Sequence, residues 1–190
     1  MATRVDEARM VGLLAGAWDA EWDDRLHREV HPSCCILAAR TGIEVLRTLG
    51  VKAWPVATEV TVFNRPAAEL FAAGNRDVAN WPPFAWSIHV GRHSPGNGYP
   101  GHLWLATEQF LVDLSARQFH RPGLLRFDKS IILPNELPNV FTQDDGTMMM
   151  VQPSRDRTYR RANDWLHNWR ELVPRVLERA DAIREAIEDE

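Results

Sequence analysis

Apolar residues in the first part of the chain recur at helical spacing. Val5, Ala8, Val11, Leu14, Trp18 and Trp22 share one face of a helix predicted over residues 5–26, within an N-terminal helical region 1–30. His31-Pro32-Ser33 breaks the pattern, because proline disfavours helix in the residue before it and Ser33 is a suitable N-cap. A second helix is predicted over 34–49, with Gly50 as its stop. On its wheel Cys35, Ala39, Gly42, Leu46 and Leu49 form one stripe, and Arg40, Glu44 and Arg47 lie opposite. Cys35 points into the centre of the apolar face, and Cys34 stands at its margin.

The period then shortens to two. Residues 51–63 are rich in β-branched side chains and read as a strand, with Pro55 marking an edge or a break near its start. Residues 64–84 are irregular, with a short helix near 66–73. Three further strands are predicted at 84–91, 102–106 and 110–115, and a short apolar run at 147–151 suggests another. Residues 155–189 carry a long helical pattern that Pro174 bends. Helices first, strands next and a helix last describe a single α+β domain spanning 1–190, with strands and an insertion over 51–115.

Composition narrows the function classes. A net charge of -4 offers no basic surface for nucleic acid, and no apolar run is long enough to cross a bilayer. The first ten residues lack the basic and apolar segments of a secretory signal, so a cytoplasmic protein is expected. The only two cysteines, Cys34 and Cys35, are adjacent. Neighbouring cysteines do not staple distant segments, and zinc-ligand cysteines are normally two to four residues apart. Neither a metal nor a cofactor is expected.

A thiol in the first turn of a helix faces unpaired N–H groups and the positive end of the helix dipole, both of which favour an anion. The same N–H groups suit an oxyanion beside a nucleophile. Strand alternation in "GHLWLATEQFLVDLS" puts His102, Trp104 and Ala106 on one face, and Leu111 and Asp113 on one face of the next strand. A hairpin loop centred between Thr107 and Glu108 sets His102 directly opposite Asp113, with the helix-start cysteine packing over that face. Nucleophile, base and orienting carboxylate then come together as Cys35, His102 and Asp113. Buried cysteine is ordinarily a packing residue, and strand histidines and aspartates ordinarily bond a neighbour; the combination carries the reading. Cys34, Trp104 and His89 are auxiliary candidates, His89 because it lies in the predicted strand "WSIHVG".

Two blocks, "CILAARTGIEVLRTLGVKAWPV" (35–56) and "GHLWLATEQFLVDLSARQF" (101–119), resemble the transglutaminase-like superfamily of papain-like thiol enzymes. The resemblance lies in a cysteine that opens a helix, a Leu-Arg-x-Leu-Gly close followed at once by a strand, then a His-x-Trp strand and an Asp-x-Ser strand. It implies a papain-like fold, with the nucleophile helix packed on an antiparallel sheet, to which the N- and C-terminal helices predicted from periodicity are additions. It assigns Cys35 as nucleophile, His102 as base and Asp113 as orienting carboxylate. It also implies thioester chemistry on a peptide, protein or small amide or acyl substrate, by hydrolysis or by acyl transfer as in arylamine acetyltransferases. A non-catalytic interaction module on the same fold is the rival reading.

Overall fold

The computed structural model describes residues 6–29, 34–91, 99, 101–127 and 129–188. Asp6 caps the first helix, α1 (Glu7–Glu21), its carboxylate accepting from the Arg9 N–H at 3.1 Å. Val11, Leu14, Ala17 and Trp18 are buried along α1. A π-helical turn (Trp22–Leu26) continues it with Trp22 and Leu26 both inward, and a last turn, α2 (His27–Glu29), follows.

The next helix, α3 (Cys35–Thr48), has Cys34 at its N-cap position. Pro32 and Ser33, expected to launch it, lie outside the described residues, as does Val5. Its other end closes as anticipated, and the reason is visible. Gly50 takes φ 83°, the Val51 N–H reaches back to the Leu46 carbonyl at 2.8 Å, and the Gly50 N–H reaches Arg47 at 3.1 Å. This paired closure satisfies carbonyls that the helix leaves open. It also turns the chain directly into the sheet.

Seven antiparallel strands form that sheet: β1 (Trp54–Phe63), β2 (Ser87–Val90), β3 (His102–Ala106), β4 (Phe110–Asp113), β5 (Ile131–Pro134), β6 (Asn139–Thr142) and β7 (Met148–Pro153). Their order is β5-β4-β3-β1-β7-β6, and β2 pairs the second half of β1. The long β1 is central, not an edge. Pro55 is tolerated because β7 pairs β1 only from Thr58 onward, so Trp54–Val56 pair on one side, with β3. A helix, α4 (Arg65–Ala72), fills the irregular segment and is capped by Asn64, which accepts from the Ala67 N–H at 3.2 Å. Strands β5 and β6 are additional to the expected set.

The predicted continuous helix over 155–189 is broken. Short 3-10 turns (Thr158–Arg161, Asn168–Glu171) flank α5 (Asn163–Leu166), and only α6 (Leu172–Glu188) is long. Pro174 does not bend α6; it sits in the first turn, where no N–H is required. Against α1, α6 buries Val176 and Ala180. The buried Glu21 carboxylate accepts from Arg175 Nε at 2.8 Å and from Arg179 Nε at 3.3 Å.

The fold is α+β, with an apolar layer on each side of the sheet. On one side α1, α3 and α6 pack with Leu105, Val112 and Leu114. On the other, Trp104, Ala106 and Leu111 pack with Phe119, Phe127 and Met149. Among the described residues no helix is long and apolar enough to cross a membrane.

Gly42 is where α3 comes closest to the sheet. A Cβ there would overlap Leu105 and stand 2.8 Å from Leu114 Cδ1. Gly42→Ala is therefore expected to destabilise by about 1–3 kcal/mol despite alanine's helix preference. Gly12→Ala on α1, with nothing within 4 Å of the added carbon, is expected to stabilise by about 0.5–1 kcal/mol. Urea midpoints of the two variants should move in opposite directions.

Candidate active site

Strand β3 begins at His102, and its backbone is held there by two hydroxyls. Thr58, paired with it on β1, donates to the His102 carbonyl at 3.0 Å, and Tyr99 donates to the same oxygen at 3.3 Å. The imidazole has no solvent exposure. Its Nε2 lies 2.7 Å from Asp113 Oδ2, and both side chains are wholly buried. Trp104 and Phe119 wall the ring, steeply inclined to it, with centroids 6.1 and 5.2 Å away.

Asp113 ends β4. Its other oxygen, Oδ1, accepts from the Ser115 N–H and from the Ser115 hydroxyl, each at 2.8 Å. The carboxylate is thus oriented on both sides before it meets the imidazole. Such a carboxylate fixes the proton on Nε2 and leaves Nδ1 as the working nitrogen.

The hairpin register differs from the expected one. Leu105 pairs Val112 and Ala106 pairs Leu111, so the loop is centred between Glu108 and Gln109 and Asp113 falls opposite Trp104. His102 is its diagonal neighbour. A shift of two residues preserves parity, so His102 and Asp113 still share a face and still meet.

Cys35 opens α3, but α3 does not cover the His102 face as expected. Cys35 packs with Ala39, Ala57, Leu103 and Tyr159, and Leu103 points away from the His102 side. Helix and imidazole lie on opposite faces and meet at the strand end, where Cys35 packs on Leu103, the residue next to His102. Burial alone would lower the His102 pKa. The Asp113 charge and hydrogen bond, with Cys35 adding to them, override it and lift the value to about 10. The first intrahelical bond of α3 runs from the Ala38 N–H to the Cys34 carbonyl at 2.9 Å, which leaves the Cys35, Ile36 and Leu37 N–H groups ahead of the ladder.

Cys34 is not at a margin. It is 3% exposed in the core shared by α1, α3 and α6, and burial, with Cys35 beside it, pushes its thiol well above the ordinary range. Both cysteines are free thiols. Trp104 stays beside the imidazole, and its indole N–H has no partner among the described residues. His89 is exposed on β2, 2.9 Å from the Thr61 hydroxyl, and is not brought to the site. Among the described residues no group of three or more His, Cys, Asp or Glu side chains is placed to hold a metal ion.

Sequence reasoning missed Ser115, Tyr99 and Gln118. Ser115 was legible in principle, because Asp-x-Ser commonly closes a local turn onto the carboxylate. The Gln118 carboxamide nitrogen lies 2.8 Å from His102 Nδ1 and 3.4 Å from Nε2, from a 3-10 turn (Ala116–Phe119) just after β4. No known protein family, curated protein or solved structure matches the chain.

Proposed function

We propose that the protein is a thiol-dependent hydrolase of peptide or amide bonds, built on a transglutaminase-like, papain-like fold and working through a Cys35-His102-Asp113 triad. The observation that carries this reading is the wholly buried His102–Asp113 pair at 2.7 Å, with Cys35 packed on Leu103 at the same end of β3. A buried, carboxylate-bound histidine beside a helix-start thiol is costly to assemble for packing alone, and it matches what nucleophilic catalysis needs.

Before the first half-reaction the Cys35 proton already rests on His102 Nδ1, because Asp113 holds the ring as imidazolium, and the Sγ thiolate adds to the substrate carbonyl carbon. The oxyanion is taken up by the first-turn N–H groups of α3. As the tetrahedral intermediate collapses, the carbon–nitrogen bond breaks and Nδ1–H gives its proton to the leaving amine. A thioester on Cys35 remains. Water then gives a proton to Nδ1 and adds to the thioester carbon, and as the acid departs sulfur leaves as thiolate beside the imidazolium, restoring the starting pair. An amine in place of water would yield acyl transfer from the same intermediate.

Iodoacetamide tests this. Cys35 should be alkylated at neutral pH at least about tenfold faster than free glutathione, consistent with an activated thiol. Peptide mapping should find the label on Cys35. A rate no greater than that of glutathione sinks the enzyme reading and favours an interaction module.

A further inference from the structure

Gln118 belongs to none of the roles above, yet it is in contact with the candidate base. Its amide nitrogen stands at 2.8 and 3.4 Å from the two ring nitrogens of His102. A donor in the ring plane, along the Nδ1 lone pair, would be much farther from Nε2, because that lone pair points away from the other nitrogen. Two such similar distances place the carboxamide over the ring face. The in-plane approach to Nδ1 therefore stays free of Gln118.

The orientation of the amide follows from Ser115. The Ser115 hydroxyl donates its proton to Asp113 Oδ1, so towards Gln118 it presents a lone pair, at 3.4 Å from the amide nitrogen. Nitrogen rather than oxygen then lies on that side. Gln118 itself is half-buried while His102 is wholly buried, so the carboxamide is a layer between the ring and solvent. Phe119 and Trp104 close other sides of the ring. Among the described residues, the titratable groups around the ring are Asp113 on β4, Cys35 on α3 and Tyr99, which bonds the His102 carbonyl.

We propose that Gln118 is a positioning residue: its carboxamide roofs the His102 imidazole and, tied to Asp113 through Ser115, keeps Nδ1 directed in the ring plane at Cys35. This role rests on the triad reading and deepens it. The turn Asp113-Leu114-Ser115-Ala116-Arg117-Gln118 then acts as one device. It supplies the carboxylate, the hydroxyl that orients it and the roof that holds the ring.

The test uses the full chain carrying Cys34→Ala, so that only one thiol reports. Iodoacetamide rates are measured across pH for the parent, Gln118→Ala and Gln118→Glu, with thermal midpoints alongside. Gln118→Ala should slow alkylation near neutral pH by about tenfold to about a hundredfold, the cost of a misplaced catalytic group. Gln118→Glu, nearly the same shape, sets a carboxylate over the ring, holds the imidazolium and should move the alkaline limb of the rate profile to higher pH. Should Gln118→Ala fail to fold, Gln118→Glu carries the comparison alone. Profiles that superimpose on the parent, or rates that fall only with the folded fraction, overturn the role. A parent Cys35 no more reactive than glutathione overturns the triad instead. In that event the imidazole 15N spectrum decides for Gln118: faster solvent exchange of Nε2–H in Gln118→Ala supports the roof, and unchanged exchange overturns it.

Discussion

Replacing Cys35 by serine is expected to abolish rapid alkylation and all turnover, whereas Cys34→Ala leaves both within about twofold of the parent. The two thiols are neighbours in sequence but belong to different environments. Cys34 lies in the helical core, where burial keeps its thiol protonated well past neutral pH, so it offers no thiolate to a reagent. Cys35 packs at the end of β3 with Tyr159 and with Leu103, which is beside His102 in the strand. Serine in its place is of similar size but is a far weaker nucleophile and is not alkylated. For a triad enzyme the loss is on the order of 10⁴-fold or more. Labelling with mass-spectrometric mapping in each single variant decides the matter. Substantial label on Cys34 in the parent, or unchanged turnover in Cys35→Ser, would refute the assignment.

How far the site was legible from the chain varies with the kind of constraint involved. Helix periodicity and Gly50 located α3 within a residue or so, because both are local signals. The His102–Asp113 meeting survived a wrong hairpin register because side-chain facing depends on parity, and a two-residue slip leaves parity intact. Local patterns carried no information on which face α3 would cover. That choice depends on Gly42, which lets the helix lie against Leu105 and Leu114, and on α1 and α6 closing over the same face. The same three-helix core explains Cys34, whose position on a single wheel takes no account of a second helix packed behind it. Strands β5 and β6 are only four residues each, bounded by Pro134, Pro138 and Asn135, and leave too short an alternation to stand out. The break before α6 had a different origin: apolar spacing continued through Trp165 and Trp169, while both rings pack against Arg40 of α3. Gln118 left no trace beyond its distance from Asp113, since its part in the site depends on how a 3-10 turn folds back over the ring.

Asp113→Asn is expected to lower turnover by about 10⁴-fold and to flatten the alkaline decline in stability. The new carboxamide can still accept from Ser115 through its oxygen, but it then turns its NH2 toward His102 Nε2. Nε2 becomes the acceptor and the imidazole proton moves to Nδ1, the nitrogen that must receive the Cys35 proton. The stability effect follows from the same pair. Burial lowers the His102 pKa in the folded protein, but Asp113 outweighs it and raises the value to about 10, whereas an unfolded histidine titrates near 6.5. The native state therefore holds a proton that the unfolded chain has released. Its stabilisation is complete below about pH 6.5 and declines, at up to about 1.4 kcal/mol per pH unit, until pH passes about 10. Cys34, whose thiol burial also raises, adds a decline of the same sign once pH exceeds the ordinary thiol value, and Cys35 shares its proton with His102 in the triad, so the comparison belongs in a background where both cysteines are alanine. Urea unfolding at intervals from about pH 6 to about pH 10 should show a falling stability with Asp113 present and a nearly level one in Asp113→Asn. Parallel slopes in the two proteins would mean that the carboxylate does not hold the proton on His102, and the triad would lose its orienting member.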